Sequence, residues 1–175
     1  MVGPRSLFLH VGLPKCGSSA LQDWAGTNRA LLARPAAEAL RMASRDWEVF
    51  HIVLANEAEL GALFETEDFD AAADKLAALV EIAAVTRGAE GSVILRGDER
   101  VVVPAYPVDK VVDTTGAGDQ YAAGFLLGLA RGRPLAEAGA LGSLAAAEVI
   151  AHWGPRPMVK LSDLAAEQGL AEALG

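Results

Sequence analysis

The chain predicts an α/β fold: a mainly parallel sheet covered by helices on both faces. Three observations carry that expectation. Short apolar or β-branched runs alternate with stretches of helical periodicity. Breaks containing glycine or proline separate them. Glycine-bearing turns able to hold an anion each fall just after a predicted strand, where such sheets place their ligands.

Leu7-Phe8-Leu9-His10-Val11 predicts the first strand. It runs into Gly12-Leu13-Pro14-Lys15-Cys16-Gly17-Ser18-Ser19 and then a helix through Leu21 and Trp24. Residues 35–47 read as an Ala-rich helix, 49–54 as a buried strand and 57–64 as a short helix. Asp70 is the expected N-cap of the next helix, which carries Ala73, Leu76, Leu79 and Val80 on one face. Residues 82–86 and 92–95 read as strands flanking a turn at Gly88. Gly97-Asp98 lies between Val93-Ile94-Leu95 and Val101-Val102-Val103, the pattern of a hairpin. The β-branched stretch 108–112 predicts another strand, and Tyr121, Phe125 and Leu129 recur at helical spacing over 117–131. Gly132-Arg133-Pro134 breaks the chain, and Pro134 suits the first turn of a helix running through Glu148 to His152.

Composition bounds the function. The 175 residues suffice to bury a core and fit one domain. Although 52% are apolar, no run approaches the ~20 residues needed to cross a bilayer. Pro14, Lys15 and Gly17 interrupt the opening, so no secretory leader and no membrane partner are expected. A single Cys allows no internal disulfide, which suits the cytoplasm. A net charge of −8 argues against nucleic acid, so any phosphate must be held by local N–H groups and a few placed cations.

Asp113-Thr114-Thr115-Gly116-Ala117-Gly118-Asp119 is the densest chemical signal. Gly116 and Gly118 let backbone N–H groups close on a ligand. A helix N-terminus adds partial positive charge, which makes an anion cradle. Asp119, beside that cradle, is a candidate general base, a role worth roughly 10²–10⁴-fold in rate. Alone, the turn reads equally as a glycine-rich cap with an acidic first turn.

Extended to Asp-Thr-Thr-Gly-Ala-Gly-Asp-x-Tyr-x-Ala-Gly, closing at Gly124, the motif resembles the signature of the ribokinase-like (PfkB) carbohydrate and nucleoside kinases. Asn56-Glu57-Ala58-Glu59 resembles the N-x-x-E element of that family, and Thr86-Arg87-Gly88-Ala89-Glu90-Gly91 its T-x-G-x-x-G nucleotide turn. The order and spacing agree, and the closing stretch through Gly154-Pro155-Arg156-Pro157 is similar to bacterial adenosine-kinase-like and sugar-kinase members. The resemblance covers residues 49–172. It implies a ribokinase-like fold and transfer of the γ-phosphoryl of ATP to a hydroxyl of a sugar or nucleoside. Asp119 would take the proton, and the Gly116, Ala117 and Gly118 turn would stabilise the moving charge. Thr86, Gly88 and Gly91 would hold the nucleotide, with Asn56 and Glu59 arranging Mg²⁺ through water. Asp113 and Thr115 stand where the family often binds a monovalent cation such as K⁺. The acceptor pocket, lid and N-terminal half of the family are not visible in the sequence. The implied chain is therefore truncated, either a working transferase or a non-catalytic nucleotide-binding remnant, and its open sheet edge predicts a homodimer.

The opening reads as a different segment, giving a division into residues 1–48 and 49–175. Gly12 to Gly17 keeps P-loop spacing, but Lys15 precedes the second Gly. Over residues 6–32 this resembles the 5′-phosphosulfate loop of sulfotransferases that use 3′-phosphoadenylyl sulfate, with Lys15, Gly17, Ser18 and Ser19 holding the ligand. No 3′-phosphate site accompanies it. Lys15 reads more simply as an exposed loop residue, and Cys16 reads as a small filler, lacking a nearby His or Asp. His10 and His51 read as structural histidines within strands. His152 reads as packing or as a ligand wall, and Arg87 as phosphate contact or solvated charge. Glu65, Glu67 and Asp68 read as a solvated loop, and no spacing suggests zinc.

Overall fold

The computed structural model describes residues 7–10 and 50–170. Its strands are β1 (Leu7–His10), β2 (Phe50–Asn56), β3 (Ile82–Thr86), β4 (Ser92–Arg96) and β5 (Glu99–Val103). The helices are α1 (Glu57–Phe64), α2 (Phe69–Ala77), α3 (Ala117–Ala130), α4 (Leu135–Ile150) and α5 (Leu161–Glu167), with a 3₁₀ turn at Gly88–Glu90. The strands form one sheet in sequence order. β1 pairs parallel to β2, placing His10 opposite Leu54. The two-residue Gly97-Asp98 connection permits only an antiparallel β4–β5 hairpin, as its sequence predicts, so the sheet is mixed.

Packing divides the chain into two units, one reaching Val85 and including Leu95–Glu99, the other holding Thr86–Ile94 and the chain from Arg100 onward. In the first, Ile52, Val53 and Leu54 are an uninterrupted buried run, and Leu60, Ala72, Ala73 and Leu76 from α1 and α2 are buried with them. A run buried on consecutive positions is covered on both pleat faces. α2 starts two residues earlier than expected: Asp68 is its N-cap, accepting from the Ala71 N–H at 3.1 Å, and Asp70 lies inside the first turn. Asp68 is thus a cap rather than part of a solvated acidic loop. Leu79 falls beyond the end of α2 and is 39% exposed, so it leaves the face that Ala73 and Leu76 share.

In the second unit α3 and α4 pack backbone to backbone. A Cβ on Gly124 would lie 2.9 Å from the Gly142 Cα, and one on Gly128 would lie 2.6 Å from the Ala138 Cα. Small residues let the helices approach closely enough for Phe125 to be fully buried. Gly139 of α4 seats against Ile94 and Val103, and Ala165 of α5 joins Leu141 and Leu144. No helix among the described residues is long and apolar enough to cross a membrane.

Residues 108–112 do not form the predicted strand. They are irregular, and the Val112 N–H donates at 2.8 Å to the Ile150 carbonyl at the end of α4. Pro104 and Pro107 lack donors for a ladder, and a helix terminus supplies an orphan carbonyl instead. The Gly116 turn therefore follows a loop tied to α4, not a strand. The expected helix at 35–47 and the Lys15, Gly17 and Ser18 loop lie outside the described residues.

Candidate functional site

The first candidate element sits at the junction of β2 and α1. Asn56 is the N-cap: its Oδ1 accepts from the Glu59 N–H at 2.9 Å, and Glu59 Oε2 accepts from the Asn56 N–H at 2.8 Å. Those reciprocal bonds are a capping box, which orders both side chains before any ligand arrives. Beside α1 lies an open hollow of about 520 Å³ lined by Glu57, Glu65, Glu67 and Phe69 among others. Its carboxylates repel phosphate, so volume does not make it the better site.

The second element is the turn after β3. Gly91 has φ +89° and is buried, and a Cβ there would lie 2.6 Å from the Ala105 N. Only glycine satisfies both conditions. The Arg87 N–H donates to the Gly91 carbonyl at 2.7 Å, closing the turn. Arg87 pairs with Glu90 at 2.9 Å, so its charge is engaged within its own turn rather than simply solvated.

The third element is the loop–helix junction before α3. Asp113 Oδ1 accepts from the Thr115 N–H at 2.9 Å, and its Oδ2 accepts from the Gly154 N–H at 3.2 Å. These bonds, the Thr115 one foremost, hold the Asp113 carboxyl below its ordinary pKa. Gly116 is the N-cap at φ +82°, with no side-chain cap. A Cβ on it would meet Pro155 Cβ at 2.6 Å. Ala117, Gly118 and Asp119 are then the first three helical residues, and Asp119 is half-buried.

Thr86, Gly88 and Gly91 from the second element line one cavity of about 240 Å³ with Thr114, Ala117 and Gly118 from the third. Tyr106, Ala147 and Ile150 are among its apolar walls. Its lining thus combines glycine turns and a helix N-terminus with an apolar surface. Tyr121 also borders it, donating from its hydroxyl to Ser92 Oγ at 2.7 Å, and burial pushes its pKa up to about 12. That phenol stays neutral and fixed.

His152 has structural partners. Its Nε2 meets Glu148 Oε1 at 3.2 Å, and Nδ1 meets the Trp153 carbonyl at 3.3 Å. The Trp153 carbonyl first, and then the Glu148 carboxylate, raise its pKa. The sequence suggested no role for Glu148 beyond its place in the helix, and it did not suggest the Pro155–Gly116 contact. The usable signal was an acidic residue in the last turn of a helix, against the dipole. Among the described residues no group of three or more His, Cys, Asp or Glu could hold a metal unaided.

Known proteins resemble this chain along most of its length. The family described as pfkB family carbohydrate kinase matches residues 10–160, a span that overlaps the opening loop. Nothing found supports the sulfotransferase reading of Lys15, Gly17 and Ser18. An uncharacterized sugar kinase of Archaeoglobus fulgidus is 46% identical over 107 residues, covering 60% of this chain and 42% of that protein. The cytidine kinase of Thermococcus kodakarensis is 41% identical over 106 residues, covering 59% and 38%. The crystal structure of adenosine kinase from Sinorhizobium meliloti superposes with a TM-score of 0.72 at 40% identity, over 92% of this chain and 53% of that one. The chain therefore spans roughly two-fifths of the curated relatives it matches. By that match, and by the residues it encloses, the chain belongs to the pfkB family of carbohydrate kinases.

Proposed function

We propose that the chain is the nucleotide-binding part of an ATP-dependent phosphotransferase acting on a hydroxyl of a sugar or nucleoside. The carrying observation is the cavity where Thr86, Gly88 and Gly91 meet Ala117 and Gly118. Its volume lies just under the ~300–1,000 Å³ usual for small-molecule clefts, which suits part of a nucleotide. The apolar walls take the base, and the uncapped first turn of α3 faces phosphate. The relatives' names support both acceptor classes, sugar and nucleoside.

In this reading Asp119 accepts the proton of the attacking hydroxyl. The N–H groups of Ala117, Gly118 and Asp119, at a helix start without a side-chain cap, stabilise charge developing on the transferred group. Mg²⁺, when bound, neutralises phosphate charge. It characteristically keeps several waters and takes one or two carboxylates plus phosphates. Glu59, held by its capping box, offers one ordered carboxylate to such waters, and Asn56 holds it in place. Asp113 and Thr115 form a ready oxygen-bearing turn for K⁺. A homodimer formed through an unpaired sheet edge completes the proposal, and a monomer by light scattering across a concentration series counts against it.

The test is a thermal-shift titration with Mg·ATP. At about 100 times its Kd a specific ligand stabilises the fold by roughly 2.7 kcal/mol. A cooperative melt that Mg·ATP leaves unmoved sinks the nucleotide-binding reading.

A further inference from the structure

Glu148 breaks a local rule. A carboxylate in the last turn of α4 opposes the helix dipole, yet its side chain is only 8% exposed. Its Oε1 accepts from the Met158 N–H at 2.8 Å and the Val159 N–H at 3.3 Å, and it meets His152 Nε2 at 3.2 Å. Its Oε2 is buried without a hydrogen-bond partner among the described residues. What offsets such a placement is the set of bonds that the group makes.

What it holds is the segment 152–159, and that segment lies on the anion cradle. Pro155 packs against Gly116, its carbonyl accepts from Gln120 Nε2 at 3.3 Å, and the Gly154 N–H donates to Asp113. Glu148 ties the strap at both ends, through His152 on one side and Met158 and Val159 on the other.

We propose that Glu148 is a positioning residue: by anchoring the 152–159 strap on Gly116 and Asp113, it fixes the first-turn N–H groups of α3 for phosphate. The proposal rests on the phosphotransferase reading for its consequence, but not for its structural step.

The experiment compares wild type, Glu148→Ala and Glu148→Gln in the full chain. Amide hydrogen exchange is measured without ligand, and Mg·ATP affinity separately. In Glu148→Ala, exchange at residues 115–119 rises about tenfold while α2 is unchanged, and Mg·ATP affinity falls about tenfold. Glu148→Gln keeps an acceptor oxygen for the Met158 N–H and restores most of both. Unchanged exchange at 115–119 in Glu148→Ala overturns the proposal, as does a loss spread evenly over the protein. If Glu148→Ala does not fold, Glu148→Gln decides: exchange and affinity near wild type support anchoring by an acceptor oxygen, and a cradle as loose as the rest of the chain overturns it. Should wild type bind no Mg·ATP, the phosphotransferase reading fails, and the exchange data alone judge the strap.

Discussion

The two helices that carry candidate phosphate chemistry begin in opposite ways. α1 starts with a closed box, in which Asn56 and Glu59 satisfy each other's backbone donors. α3 starts with Gly116, which has no side chain to offer its first turn. The first helix end is capped by its own side chains; the second has no side-chain cap, and its Ala117 N–H bonds only the neighbouring Thr114 carbonyl at 3.2 Å. A glycine N-cap costs only a few tenths of a kcal/mol relative to a side-chain cap, a small sacrifice for an open anion site. The contrast teaches that similar-looking motifs divide the work: one element orders itself, the other waits.

Several substitutions break or sharpen this contrast. The largest effect belongs to Asp119→Asn at the open end. Transfer falls by roughly 10²–10⁴-fold while the Mg·ATP thermal shift persists. Turnover equal to wild type in a coupled assay with sugar and nucleoside acceptors removes Asp119 from the base role.

Gly116→Ala tests whether the open cap must be glycine. At φ +82° the backbone penalty alone is about 1–2 kcal/mol, and the new Cβ also meets Pro155. Urea melts should show at least that loss, together with weakened Mg·ATP binding. A variant as stable as wild type would falsify the glycine argument.

At the closed end, Asn56→Ala costs about 0.5–2 kcal/mol, whereas Asn56→Ser keeps a side-chain cap. If Asn56 also serves Mg²⁺, the Ser variant regains stability but not Mg²⁺-dependent nucleotide affinity. Full recovery of both leaves Asn56 as a cap only.

The smallest effect is in pH. The Asp113 carboxyl sits below its ordinary value, so its support of the Gly154 end of the strap is present above about pH 4 and is lost as pH falls through the lowered folded value. His152 is raised, so its contribution is complete below about pH 6.5 and is lost as pH rises through the raised folded value. Stability against urea should therefore decline on both sides of that window, and Asp113→Asn should remove the acid limb. An acid limb unchanged in that variant excludes Asp113 as its source.

Much of this was legible in the residues. The turn glycines and the spacing of Asn56, Thr86 and Asp119 point to the family without the tertiary structure. Buried runs such as Val53-Leu54 and Val93-Ile94-Leu95 announced their strands, since burial on both faces needs unbroken apolarity. The failures have local causes. Residues 108–112 have strand-like side chains, but the Val112 N–H found a carbonyl at the end of α4. Asp70 looked like a cap, yet Asp68 made the bond, because either Asp in that acidic stretch satisfies the same rule.

The sequence by itself determined most of the element types, the glycine turns and the family, because these depend on spacing and on single-residue sterics. Only the tertiary structure decided that Thr86, Gly88 and Gly91 share a cavity with Ala117 and Gly118, and that Pro155 lies on Gly116. Those contacts join residues far apart in sequence, and no local propensity specifies which helix terminus a distant loop will meet.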